Sequence, residues 1–120
     1  MENKSMLIKN RSYRFALQII GLYQNLCNKK EFVLSKQLLR AGTSIGANVE
    51  EATAAQSRRD FISKMSIASK EARETLYWLK LPRDSNLYKE IDFNGIIDEA
   101  EQVAKMLTAI VKTTQKTTQN

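Results

Sequence analysis

Apolar residues recur at helical spacing in four stretches of the chain, and nowhere do they alternate as a strand would. From Tyr13 to about Asn28, Phe15, Ile19, Leu22 and Leu26 step four, three and four, the period of one helix face. Ala16, Ile20, Tyr23 and Cys27 form a second line beside them, so this stripe is wide enough to face two neighbours. A short charged connector, Asn28 to Glu31, leads to a second helix from Val33 or Ser35 to Gln56. A third is predicted over 58–81, buried through Phe61, Met65, Ala68, Ala72, Leu76 and Leu79. Ser57, with Asp60 three residues on, makes an imperfect capping box at its start, and Pro82 stops it. After a loop over 83–92, a fourth helix runs from Phe93 to about Lys112 on Ile96, Ala100, Val103, Leu107 and Ile110, joined by Ile97, Ala104 and Val111. The polar ends, 1–12 and 113–120, are expected to be flexible. The pattern specifies one all-α domain, an antiparallel up-down-up-down four-helix bundle.

The second helix is the thin one. Leu34, Leu38, Ala41, Ile45, Asn48 and Ala52 form its packed seam, while Gly42, Gly46 and many Ala, Ser and Thr keep its side chains small. A helical Gly costs about 1 kcal/mol against Ala, so two of them four apart predict close backbone contact. Arg40, Ser44 and Asn48 fall four apart and form a polar line beside the seam. An antiparallel turn near Ser57 sets Arg40 opposite Glu74, and Ser44 opposite Lys70 or Glu71. Trp78 shares a face with Glu74, and Asn48 reads as a polar residue that fixes register.

Composition narrows the chemistry. The chain has 120 residues, 42% of them hydrophobic, enough to bury a core without staples. The lone Cys27 cannot form an internal disulfide and reads as core filler. With no signal peptide and no long apolar run, the expectation is a soluble cytoplasmic protein without a membrane partner. The sequence has no His, which removes the usual proton shuttle and the commonest metal ligand together. Glu50, Glu51, Glu71 and Glu74 would need a Glu-x-x-His partner to hold a metal pair in a bundle. They read instead as structural pairs or solvated faces. Ser44 has only Lys70 as a conceivable base. The reading is therefore a non-enzyme with no metal and no cofactor.

Lys and Arg number 19 against 13 Asp and Glu, a formal charge of +6, which favours polyanionic partners. Lys4, Lys9, Arg11 and Arg14 gather at the N-terminus, and Arg58, Arg59 and Lys64 at the start of the third helix. The two clusters are expected at opposite ends of the bundle, as separate patches or as one field if copies assemble. No interleaved aromatic platform accompanies them, so phosphate contact rather than base stacking is indicated.

Several runs are specific enough to carry a resemblance. Ser35–Gln37, LLR at 38–40, GTSIGANVEE at 42–51, DFISKMSIA at 60–68, KEARETLYWL at 70–79 and YRFA at 13–16 resemble the four-helix-bundle family encoded in 23S rRNA intervening sequences. The likeness covers Tyr13 to Leu81; the fourth helix matches only in pattern. Pro82 stands where an apolar residue is usual, and Ala52 where relatives carry Gly. The resemblance implies a small bundle, with Arg40, Ser44, Gly46, Asn48, Glu51, Glu71, Glu74 and Trp78 as its structural motif, assembling as a homo-oligomer of five. The chain is also similar to the accessory protein of diversity-generating retroelements, a pentameric barrel that binds nucleic acid and a reverse transcriptase. Two functions follow as expectations: an oligomer binding RNA or DNA through Lys9, Arg11, Arg14, Arg58, Arg59 and Lys64, or a scaffold for a protein partner.

Overall fold

The computed structural model describes residues 4–119. They form four helices: α1 (Lys4–Asn28), α2 (Leu34–Thr53), α3 (Arg58–Ser85) and α4 (Asn94–Gln119). These lie side by side around a single core in a body of 50 × 27 × 22 Å. The apolar stripes meet there as expected: Phe15, Ile19 and Leu26 of α1, Leu38 and Ile45 of α2, Met65 and Leu79 of α3, Val103 and Leu107 of α4 are all fully buried. Ala68, Ala72 and Ala100 are buried between them.

α2 is the thin central element. Ser35, Leu38, Ala41, Gly42, Ile45, Gly46, Val49 and Ala52 are all buried along it. The two glycines admit α1: a Cβ on Gly42 would lie 2.6 Å from Cγ1 of Ile19, and one on Gly46 would lie 3.3 Å from the carbonyl oxygen of Ser12. These contacts also give the sense of packing, since residue 12 meets 46 while residue 19 meets 42. Gly21, in contrast, has open space around it and serves no close approach.

Four boundaries depart from the sequence reading. α1 begins at Lys4, nine residues earlier than Tyr13, because Ile8 and Ser12 are buried and continue the stripe one and two turns upstream. The expected fraying of residues 4–12 is thus overturned; residues 1–3 lie outside the described residues. α2 stops at Thr53 rather than Gln56. α3 passes through Pro82 to Ser85. A proline there removes one backbone hydrogen bond near the helix end, and its own ring is buried, which offsets that loss. Asn86, left-handed at φ 58°, ends the helix instead.

The C-terminal tail is the fourth difference. α4 continues to Gln119, so residues 113–119, expected to be disordered, are helical, while residue 120 lies outside the described residues. Thr114 and Thr117 donate their hydroxyls to the carbonyls of Ile110 and Thr113, satisfying them within the helix. At the start of α3, Ser57 behaves as expected, its Oγ accepting from the Asp60 N–H at 3.0 Å.

Candidate nucleic-acid interface

The site is assembled by four helix ends meeting. Lys9 Nζ lies 3.6 Å from Glu50 Oε2, so the start of α1 stands beside the end of α2. Only the connector 54–57 separates the end of α2 at Thr53 from the start of α3, bringing Arg58 and Arg59 to the same end. A groove of about 510 Å³ lined by Ser57, Arg58 and Phe61 on one side and Thr113, Thr114 and Thr117 on the other places the end of α4 there too. Lys4, Lys9, Arg58, Arg59, Lys112 and Lys116 therefore share one end of the molecule, with Glu50, Glu51 and Asp60 as its acids. This overturns the expectation that the two basic clusters lie at opposite ends. Because residue 12 meets 46 and residue 19 meets 42, the start of α1 lies beside the finish of α2, not away from it.

At the other end the acids are engaged internally, while Lys30, Lys36, Lys80 and Lys89 stay exposed. Lys29 Nζ meets Glu90 Oε1 at 2.5 Å and Arg83 Nε meets Asp84 Oδ1 at 2.8 Å. The Lys29 hydrogen bond holds the Glu90 carboxyl below the usual glutamate range, and the Arg83 hydrogen bond does the same for Asp84. Glu31 Oε2 accepts from the backbone N–H groups of Val33 and Leu34, at 2.6 and 2.7 Å. Asp92 accepts from that of Asn94 at 3.0 Å.

The six candidate cations are not equivalent. Arg14, Arg58 and Arg59 are exposed, and Lys64 is half-buried about two turns into α3. Lys9 is shared with Glu50. Arg11 is withdrawn from solvent, its side chain only 22% exposed. Its guanidinium donates to both carboxylate oxygens of Glu99 at 2.9 Å and to Gln102 Oε1 at 2.8 Å. It is a bracket between α1 and α4 rather than a free cation. Glu99 is 88 residues away in sequence, so no local pattern reveals the pair. Tyr13, 62% exposed, is a single aromatic ring next to Arg14 and does not make a stacking platform.

The polar line of α2 forms a separate network on the α2–α3 seam. Arg40 donates to Glu74, as expected, and to Gln37 Oε1 at 3.1 Å, while its Nη1 stands 3.6 Å from Glu71 Oε2. Trp78 Nε1 donates to Glu74 Oε2 at 3.1 Å, and the Tyr77 ring meets the indole edge-on at 5.1 Å. Glu71 Oε2 is buried and accepts no hydrogen bond. Ser44 does not reach Lys70 or Glu71 by hydrogen bond; its hydroxyl returns to the Arg40 carbonyl at 2.7 Å. Asn48 likewise donates to the Ser44 carbonyl at 2.9 Å, so it ties its own helix rather than crossing the seam. Glu51 is exposed. Cys27, half-buried, donates to Ser35 Oγ at 3.8 Å. Its hydrogen bond with Tyr23 raises the phenol pKa.

Among the described residues, no group of three or more His, Cys, Asp or Glu is placed to hold a metal ion. No helix is long and apolar enough to cross a membrane.

A four-helix all-α fold with a glycine-lined α2 and a basic end defines the class. The chain belongs to the 23S rRNA-intervening sequence protein family, which it matches over residues 4–109. It is similar to a crystal structure of a protein of unknown function from the S23 ribosomal protein family of Bacteroides thetaiotaomicron. Identity is 48%, the TM-score is 0.85, and the match covers 92% of this chain and 99% of that one. No functionally curated protein matches the sequence at a significant level.

Proposed function

We propose that the protein is a non-catalytic up-down-up-down bundle that self-associates and binds RNA or DNA through phosphate contacts at its basic end. The observation that carries this reading is the convergence of Lys4, Arg58, Arg59, Lys112 and Lys116 from three helix ends, while the acids of the far end are held in internal pairs. Lys and Arg contact phosphate oxygens rather than base edges, so binding has little sequence preference. Log affinity falls with log salt by about 0.7 to 0.9 per phosphate neutralised.

Fluorescence anisotropy with labelled RNA and DNA across a salt series tests it. Arg58→Ala with Arg59→Ala flattens the slope while the helix content is unchanged. Absence of binding to either polymer at low salt rejects the reading. Self-association is supported by the outer face of α1, where Tyr13, Leu17 and Ile20 are 62%, 53% and 39% exposed at positions that share one side of a helix. The same face favours the second reading, a scaffold for a protein partner without nucleic acid; retained assembly with no polyanion binding would put that reading in front.

A further inference from the structure

Beyond the Arg11 bracket, α1 and α4 leave a trough of about 330 Å³ lined by Leu7, Met106, Ala109 and Ile110, with Lys4 and Arg11 at its edge. The seam is unfilled for a local reason: Ala109 stands where a larger side chain would close it, and Leu7 remains 39% exposed. The floor is apolar, with a methionine that can adapt its shape. The rim is cationic on both walls. Lys4 borders the trough on α1, and exposed Arg14 follows Leu7 by two turns; on α4, exposed Lys105 stands one turn before Ala109. The nearby acid, Glu99, is neutralised by Arg11.

We infer that this trough is a docking groove for an acidic amphipathic helix of a partner protein, laid along the α1–α4 seam with its apolar stripe inward. Two helices side by side accept a third in the furrow between them, through anchors at i, i+3 or i+4, and i+7. Carboxylates flanking that stripe meet Lys4, Arg14 and Lys105. A second copy is a poor occupant. The face it would offer for self-contact, Tyr13, Leu17 and Ile20, lies on α1, which has no carboxylate to meet Lys4, Arg14 and Lys105. An acyl chain fits less well, because the exposure of Leu7 and Ala109 makes this an open furrow, not a tunnel.

The test uses the full chain and a labelled 18-residue designed helix with a leucine stripe and glutamate flanks, against the same stripe with lysine flanks. The acidic peptide binds at least tenfold more tightly. Ala109→Trp fills the furrow from an exposed position and weakens that binding tenfold or more, with helix content, melting and RNA affinity unchanged. Lys105→Glu, which leaves the furrow open, removes most of the preference for the acidic peptide and keeps the inference testable if the tryptophan variant folds poorly. Equal binding of the two peptides, or no effect of either substitution, overturns it. So does a change of assembly size on light scattering with Ala109→Trp, which would assign the seam to self-contact. Loss of RNA binding in that variant would assign it to the nucleic-acid surface and also overturn the inference, whereas failure of RNA binding in the wild type leaves it standing.

Discussion

Two glycines and one arginine carry most of the specificity at the scale of single residues. A Cβ at position 42 would meet Ile19 at 2.6 Å, and a buried helical isoleucine has one strongly preferred χ1 rotamer. Gly42→Ala is therefore expected to lower stability by about 1–3 kcal/mol through overpacking, read as a drop in thermal midpoint. Gly46→Leu drives a full side chain into the Ser12 backbone and is expected to match or exceed that loss. Gly21→Ala, at an open position, should instead stabilise α1 by up to about 1 kcal/mol. Arg40 donates to Gln37 and Glu74 and stands near Glu71, but its side chain is 49% exposed, so solvent screens the pairing and Arg40→Ala should cost only about 1 kcal/mol. The sharper readout is Trp78 fluorescence, which should change because Glu74 loses its cation while still accepting from the indole.

Elements are held to one another by pairs that span long sequence distances. Arg11 on Glu99 fastens α1 to α4, and Arg11→Met should weaken that seam and raise amide exchange in the first turns of α1. At the opposite end Lys29 and Glu90 join the α1–α2 connector to the α3–α4 loop. The lysine lowers the Glu90 pKa in the folded state, so the folded protein binds fewer protons there than the unfolded chain. The stabilisation is present above the ordinary glutamate value and is lost as pH falls through the lowered one. Glu90→Gln should accordingly flatten the acid limb of a stability-versus-pH curve. An acid limb identical to that of the wild type would mean the pair is not formed in solution.

Assembly and charge belong to the whole molecule. The outer face of α1 exposes Tyr13, Leu17 and Ile20, and the proposed self-association rests on that face. Leu17→Glu with Ile20→Glu should leave the fold intact and shift light scattering to the monomer; a wild type that is already monomeric at tens of micromolar would remove self-association altogether. In an assembly each copy adds a formal +6, and Lys4, Lys9, Arg58, Arg59, Lys112 and Lys116 of every copy share one end. Binding should therefore become steeper in salt as copies assemble, and the monomeric variant should show the shallower slope.

The helices, their inward faces and the close approach at Gly42 and Gly46 were legible in the sequence, because a 3.6-residue period and small-residue spacing are local properties of the chain. So was the Arg40–Glu74 contact, since a tight α2–α3 turn fixes register by counting. The helix ends were not: Ile8 and Ser12 extend α1 because neighbouring helices cover them, and the end of α4 carries Thr114 and Thr117 hydroxyls bonded back to its own carbonyls. Pro82 reads as a stop in isolation and sits within a helix once the core buries it. The candidate interface was half legible. Lys9, Arg58 and Arg59 could be named from the sequence, whereas Lys112 and Lys116 join them only because the end of α4 meets the start of α3. The removal of Arg11 from solvent depends on a glutamate 88 residues away, a distance that periodicity cannot bridge and only packing decides.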